Sequence, residues 1–400
     1  MADSPSVQDS APLVIMGGGF GGLSTALALA QQADHPPLLL IEPNERFLFL
    51  PLLYELLSGE LRRWEIAPTY NALLAGRGVA WLRSRVVSVD ADARSLRTAD
   101  GQQLTYSQLV IATGGRPESF GIPGVEDNAL GFRNLHDVDR LQKLVQQLQQ
   151  RRRLLQRLVV VGAGASGVEL ACKLADMLNG AAVLELIEQG SELLPSSKAF
   201  NREQARLALQ RRDIRLRTGT RVVAVQPDGL DLQRGDGTSS GQEHLSADGV
   251  IWTAGVAACV PAISPPLPLD RRGRLPCHSD LRVEGLQDVF ALGDAASFPS
   301  ADYPNNANQL PATAQVAYQQ AELLAGNLRK AQAGEPLEPF HWNDLGEMLG
   351  LGIGQASITG MGLTLAGPAA HKIRRLGYLA RLPGLGHQLK VAAGWLTDWR

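Results

Sequence analysis

One six-residue pattern occurs twice in this chain, and it limits the fold more than any other feature. Gly17-Gly-Gly19-Phe-Gly-Gly22 and Gly162-Ala-Gly164-Ala-Ser-Gly167 both read G-x-G-x-x-G, and they begin about 145 positions apart. An apolar run that reads as a strand precedes each (residues 12–16 and 157–161), and a helical run follows (residues 23–33 and 168–178). A further apolar strand comes next, at 38–41 and 183–187, and ends in an acid, Glu42 and Glu188. These acids lie 20 and 21 positions beyond Gly22 and Gly167. In such a βαβ unit the first glycine makes the tight turn, the second lets backbone approach a pyrophosphate, and the third packs helix on strand. The helix N-terminus offers unpaired N–H groups and the positive end of its dipole to the phosphates, and the acid accepts hydrogen bonds from ribose hydroxyls. Two complete units imply two dinucleotides bound at once, the arrangement by which a flavin meets a nicotinamide.

The chain's 400 residues exceed what one ordinary core accommodates. A formal net charge of −2 gives no reason to expect nucleic acid as a partner. The three cysteines, Cys172, Cys259 and Cys277, are scattered, so neither a disulfide framework nor a C-x-x-C redox pair is expected. Seven histidines show no ligand spacing, and no metal site is expected. Residues 1–12 lack the basic and apolar regions of a secretory signal. No stretch reaches the roughly 18 uncharged apolar residues of a spanning helix, so any membrane contact should be peripheral.

Shorter motifs distinguish the two sites. Leu109-Val-Ile-Ala-Thr113-Gly114-Gly115 and Val289-Phe-Ala-Leu-Gly293-Asp294-Ala295-Ala296 read as buried strands ending in small-residue turns. They resemble the A-T-G and G-D motifs of two-dinucleotide-domain flavoprotein reductases. That resemblance implies FAD at Gly17, Gly19, Gly22, Glu42, Thr113, Gly114, Gly293, Asp294 and Ala314. It implies NADH or NADPH, as co-substrate, at Gly162, Gly164, Gly167, Glu188 and Gly255, the last closing the turn Ile251-Trp-Thr-Ala-Gly255. The expected fold class is α/β, with two Rossmann-like dinucleotide-binding domains and a C-terminal amphipathic helical region. The FAD domain is discontinuous, residues 11–125 and 263–330; the NAD(P)H domain is 126–262; residues 331–400 form a quinone- and membrane-contact region. An amphipathic helix is expected over residues 142–157 and a polar turn at 235–241.

Reductases of this superfamily differ mainly in their electron acceptor. Residues 47–60, where disulfide reductases carry a cysteine pair, contain no cysteine, and the cysteine spacing does not suit a sulfide:quinone reductase either. Pro311-Ala-Thr-Ala314-Gln315-Val-Ala-Tyr-Gln319-Gln320 resembles the A-Q-x-x-x-Q-Q segment of type II NAD(P)H:quinone oxidoreductases, where it lines the pocket joining flavin to quinone. Read without that likeness, it is an ordinary Gln-rich helix. The stretch from Pro51 through Trp64 to Pro68 is similar to the subgroup of oxygenic phototrophs and plastids associated with demethylphylloquinone reduction. The likeness runs from Val14 to about Trp399. It implies catalytic roles for Gln315, Gln319 and Glu169; in the family a glutamate at the last position is implicated in proton handling at the quinone site. As a bare feature, Glu169 is a carboxylate near a helix N-terminus. The family's C-terminal lysine has two candidate counterparts, Lys372 and Lys390.

From Ala366 onward the charges are Lys372, Arg374, Arg375, Arg381, Lys390 and Arg400 against Asp398 alone. A helical wheel gathers Ile373, Leu376, Leu379 and Ala380 on one arc, opposite Arg374 and Arg381. A second, after the break at Pro383-Gly-Leu-Gly386, gathers Leu389, Ala392, Ala393, Trp395, Leu396 and Trp399, with Lys390, Thr397 and Asp398 opposite. Basic amphipathic helices with tryptophans suit a peripheral anchor on anionic lipid; the alternative is a helix pair packed on the protein or on a second subunit, as in a homodimer. The expected activity is hydride transfer from NAD(P)H to FAD and two-electron reduction of a membrane naphthoquinone or plastoquinone-type quinone, without proton pumping. The expected location is the cytoplasmic face of the thylakoid or plasma membrane. Glu188 would repel a 2′-phosphate, which favours NADH and leaves NADPH open if a nearby arginine compensates or the side chain turns away. Two other readings stand beside this one: a soluble reductase of a small electron-carrier protein, and a flavin-based redox sensor.

Overall fold

The structure, a computed structural model, describes residues 11–32, 34–151, 155–235, 241–298, 310–360 and 362–397. In chain order the elements that build the sites begin with β1 (Leu13–Met16), α1 (Phe20–Leu29), β2 (Leu38–Ile41), α2 (Leu53–Leu57), β3 (Val79–Leu82) and β4 (Gln108–Ile111). Next come β5 (Ala129–Leu130), α3 (Leu135–Gln150), β6 (Arg157–Val161), α4 (Ala165–Leu178), β7 (Val183–Ile187), β8 (Arg215–Arg217) and β9 (Gly249–Trp252). The last are β10 (Val289–Ala291), α5 (Ala314–Ala333), β11 (Glu347–Gly350), β12 (Ala356–Gly360), β13 (Leu363–Gly367), α6 (Pro368–Leu379) and α7 (Leu385–Thr397).

The chain divides into two compact units. The first takes the described residues up to Leu48, then Ala67–Arg116 and Val256–Asn343. Its sheet is parallel throughout, in the order β10-β4-β1-β2-β3. β1 and β4 are buried along their whole length, as expected of parallel strands covered on both faces. α1 packs against α5.

The second unit takes Phe49–Ile66, Pro117–Gly255 and the residues from Asp344 on. Its parallel sheet runs β8-β7-β6-β9-β5, so β6, β7 and β8 repeat the succession β1, β2, β3, and β9 takes the place of β4. Strand order thus reverses beside β1 and beside β6, where doubly wound sheets open a ligand crevice at their carboxyl ends. Residues 49–66, and the described residues from 344 on, fall in the same unit as the second fingerprint.

Strands β2, β6 and β7 fall on the expected residues, while the helices differ. α1 and α4 start three positions earlier than expected, because the fingerprint's last three residues already lie in the helix. The helix expected at 142–157 is α3, seven positions earlier. Asn134 starts it by accepting the Asp137 N–H at 2.9 Å, and the Asp137 carboxylate accepts the Asn134 N–H in return, a reciprocal capping box. Most of the turn expected at 235–241, along with Trp399 and Asp398, lies outside the described residues.

Candidate functional site

In the first unit Gly17 has φ +93°, and a Cβ there would press on the Ala112 carbonyl; a Cβ on Gly22 would overlap the Gly17 carbonyl. In the second unit Gly162 has φ +100°, and a Cβ on Gly167 would overlap the Gly162 carbonyl. Both turns therefore require the glycines the pattern supplies. The middle glycines, Gly19 and Gly164, are the N-caps of α1 and α4; neither helix has a side-chain cap, and the space where a Cβ would project is open. An uncapped helix start with open space in front of it is where a pyrophosphate binds.

Glu42 and Glu188 behave alike. Glu42 Oε2 accepts the Gly18 N–H at 2.8 Å and its Oε1 the Asn44 N–H at 2.9 Å. Glu188 Oε2 accepts the Ala163 N–H at 2.7 Å and its Oε1 the Gly190 N–H at 2.7 Å. Each acid thus holds the N–H that follows its first glycine and is fixed beside the turn, with lone pairs left for ribose hydroxyls. Glu188 does not turn away. Tyr70, which no motif marks, donates its hydroxyl to the Gly18 carbonyl at 2.8 Å and closes its ring over Gly18.

At the carboxyl end of β4, Ala112-Thr113-Gly114 stands beside the turn that follows β10, since Ile111 pairs with Ala291 and the Leu292 N–H reaches the Ile111 carbonyl. Thr113 Oγ1 is buried without a partner in the protein, as a group waiting for a ligand would be. Asp294 is half-buried, and its carboxylate lies 3.2 Å from where a Cβ on Gly115 would stand. Ala314 opens α5 behind its cap Thr313, and Gln315 is half-buried in the first turn. Gln319 points elsewhere: its Nε2 donates to the Asn343 carbonyl at 2.9 Å and its Oε1 accepts the Asn343 N–H at 3.0 Å. That carboxamide is spent on a loop. In the second unit Gly255 has φ +79°, and a Cβ there would meet the Phe120 ring.

These features suit FAD at the first fingerprint and a nicotinamide dinucleotide at the second. Each fingerprint has an uncapped helix, open space at the middle glycine and a fixed carboxylate, and the first adds an unpaired buried hydroxyl.

The second unit also buries a cluster of charges. Arg374 is fully buried between the carboxylates of Glu55 and Glu169; it pairs with Glu55, reaches Glu169 Oε1 at 3.3 Å and donates to the Pro51 carbonyl at 2.9 Å. The Gly350 N–H donates to Glu169 at 2.6 Å. Burial pushes the Glu169 carboxyl up to about 7, against the opposing pull of Arg374 and the Gly350 N–H. Burial also raises the nearby Tyr54 hydroxyl well above its ordinary value, and the Glu169 charge adds to this. One turn along α4, α6 and the chain after α2, a second group repeats the pattern: Glu60 pairs with Lys173 and lies 3.7 Å from His371 Nε2. Burial would raise Glu60, but the Lys173 ammonium, the Ser58 hydroxyl and His371 together hold the carboxyl below its ordinary value.

Two expectations for the tail are corrected here. Arg374, placed on a solvent-facing arc, is buried because two carboxylates claim it, and it supplies the cation beside Glu169, whereas Lys372 and Lys390 are exposed. Trp395, placed on the lipid-facing arc, is buried: its Nε1 donates to Glu65 Oε1 at 2.7 Å, and Arg375 stacks on its ring at 4.3 Å. Lys390 lies 5.1 Å over the Trp64 ring. The Trp64-Glu65 pair is therefore where α7 docks. Ile373 and Leu376 of α6 and Leu385, Leu389 and Leu396 of α7 remain exposed. No helix among the described residues is long and apolar enough to cross a membrane.

Residues 11–321 match the family described as pyridine nucleotide-disulphide oxidoreductase. The demethylphylloquinone reductase of Synechocystis sp. is 39% identical over 98% of this chain and 98% of its own length. The alternative NAD(P)H-ubiquinone oxidoreductase C1 of Arabidopsis thaliana is 34% identical over 96% of this chain and 80% of its own. Among solved structures, NDH2 of Plasmodium falciparum in complex with NADH has the same fold, with a TM-score of 0.84, 19% identity and 98% of each chain covered. The fold and paired cradles define a reductase with two dinucleotide-binding domains. The chain belongs to the pyridine nucleotide-disulphide oxidoreductase family and, within it, to the type II NAD(P)H:quinone oxidoreductases.

Proposed function

We propose that this chain is an FAD-dependent NADH:quinone oxidoreductase whose acceptor is a demethylated naphthoquinone of a membrane. The reading is carried by the doubled cradle, in which Glu42 and Glu188 are locked beside uncapped helix starts. A relative 39% identical along the whole chain and named for demethylphylloquinone supports the choice of quinone. FAD, when bound, would supply the two-electron relay between nicotinamide and quinone. Glu42, Thr113 and the Gly293-Asp294 turn would hold the flavin nucleotide; Glu188 and the turn at Gly162 would hold the nicotinamide nucleotide. Gln315, in the first turn of α5, offers a carboxamide to a quinone carbonyl. Glu169 holds a proton near neutral pH, the form in which it can supply one of the two that quinol formation consumes. Within the expected ranges, residues 11–48, 67–116 and 263–330 would serve FAD, 126–255 the nicotinamide, and 331–400 quinone and membrane contact. Steady-state turnover with NADH and a demethylnaphthoquinone tests the reading; turnover with a small iron–sulfur carrier protein and none with any quinone would contradict it.

Because both Glu188 oxygens are pinned by backbone N–H groups, a 2′-phosphate would meet a fixed negative charge. At about 4 Å such a pair costs about 4 kcal/mol at an effective dielectric near 20, and half-exposure lowers this to about 2 kcal/mol. Glu188→Ala should therefore narrow the NADH-to-NADPH ratio of kcat/KM by about 30-fold, in competitive assays with both nucleotides. An unchanged ratio would place the discrimination elsewhere.

The tail reads as a peripheral anchor on the cytoplasmic face of the thylakoid or plasma membrane. Trp395 and Glu65 seat α7, which leaves Leu385, Leu389 and Leu396 facing outward with Lys390 nearby. Burying a leucine is worth about 1.5–3 kcal/mol, so the double variant Leu389→Glu/Leu396→Glu should bind phosphatidylglycerol vesicles at least about 10-fold more weakly in flotation assays. Equal flotation of variant and parent would remove this face from the account.

A further inference from the structure

Gln320 lies two turns into α5 and is fully buried, next to the Gln319 that the loop at Asn343 occupies. A buried carboxamide carries one acceptor oxygen and a donor NH2, and burial makes either costly to leave unpaired. Oε1 accepts the Gly293 N–H at 2.8 Å. Since that backbone group can only donate, the oxygen must face it, and this fixes the orientation of the carboxamide. The other end, Nε2, is buried and has no partner in the protein. Gln320 lines a small cavity with Arg274, Gly293, Asp294, Thr313 and Val316. Arg274 is held by Asp270 at 2.7 Å, and the Thr313 hydroxyl accepts the Val316 N–H. Gly293 itself has φ +62°, so the Gly-Asp turn is a bend that Gln320 clamps from behind.

We propose that Gln320 is a positioning residue of the flavin site: Oε1 fixes the Gly293-Asp294 turn, and Nε2 donates to an oxygen acceptor on the polyol–diphosphate linker of FAD. The proposal rests on FAD occupying the first fingerprint. The two amide ends act together, because the side chain that sets the turn carrying Asp294 also presents the free donor in the same cavity. Gln319 and Gln320 then divide the work of two adjacent carboxamides, one holding a loop and the other the cofactor turn.

The test is titration of the FAD-stripped protein with FAD, followed by flavin fluorescence quenching, at pH 8 and pH 5. Gln320→Glu keeps an oxygen for Gly293 but replaces the donor with a carboxylate. Its affinity for FAD should fall at least 10-fold at pH 8 and return to within threefold of the parent at pH 5, where the protonated carboxyl donates again. Gln320→Met, of similar volume, should bind FAD about 10-fold more weakly at both pH values. A buried carboxylate at pH 8 also disfavours the fold itself, so thermal unfolding of the FAD-free variants at both pH values is the control: a purely structural role would move it in step with FAD affinity, whereas the proposed role leaves the FAD loss in excess of it. If both variants bind FAD within twofold of the parent at pH 8, or the Glu variant binds equally weakly at both pH values, the proposal falls. If the parent protein itself does not bind FAD, the flavin reading falls with it.

Discussion

Glu169→Gln is expected to slow quinol formation about 100-fold while leaving NADH-driven flavin bleaching within about threefold of the parent, since general acid–base groups typically contribute 10²–10⁴-fold. Glutamine fills the same space and still accepts the Gly350 N–H that reaches Glu169 at 2.6 Å, so the expected loss is of the proton and not of the fold. Burial lifts the Glu169 carboxyl to about 7, far enough to keep it protonated in mildly acidic solution, while Arg374 stops it rising further. The reoxidation rate of the parent should therefore fall as pH rises through about 7, and that dependence should vanish in the variant. The same shift affects stability in a known direction. An unfolded glutamate titrates near 4.5, so the stabilisation from the raised value is complete below 4.5 and is lost as pH climbs through about 7. Rapid-mixing absorbance of the two half-reactions, across pH 5.5–8.5, separates these effects. Equal slowing of both half-reactions would mean that Glu169 shapes the protein and donates nothing.

Arg374→Leu should cost about 3–5 kcal/mol of stability, the price typical of removing one member of a buried ion pair. Two carboxylates, Glu55 and Glu169, and the Pro51 carbonyl converge on this one guanidinium, with nothing comparable to replace it. Arg374→Lys keeps the charge but not the planar fork that reaches three acceptors, and should lose less. Removal of the positive charge also removes what restrains Glu169, so the fall of the reoxidation rate should move to higher pH in any Arg374→Leu protein that folds. Urea unfolding followed by tryptophan fluorescence reads the first effect. A loss below about 1 kcal/mol would show that water, and not Arg374, solvates the two carboxylates.

Much of the architecture could be read in the sequence because parallel strands buried on both faces leave unbroken apolar runs. Residues 38–41 are such a run, 157–161 and 183–187 are interrupted only by Arg157 and Glu185, and the acids ending two of the three follow from spacing alone. The fixed φ of the first glycines made the turns legible as well. Features set by distant partners were not. Arg374 looked like a surface charge because Glu55, 319 positions away, is invisible to a helical wheel. The start of α3 is set by Asn134 and Asp137, whose reciprocal capping overrides the leucine spacing that points to residue 142. Between Gln319 and Gln320 the sequence offers no choice: adjacent helical residues differ by about 100° in direction, and only the packing of α5 decides which turns inward. Glu185, in the middle of an apolar strand, is fully buried because Arg157 and Arg217 on the neighbouring strands reach it at 2.8 and 2.7 Å, a pairing that appears only once the sheet register is known.

The central claim is that electrons pass from NADH through bound flavin to a quinone, and anaerobic spectral titration of the purified protein tests it most directly. The flavin band near 450 nm should bleach on stoichiometric NADH and return on adding a demethylnaphthoquinone, with one quinol formed per NADH consumed. A protein that bleaches with NADH and is reoxidised by no quinone, but only by a protein carrier or not at all, would contradict the account.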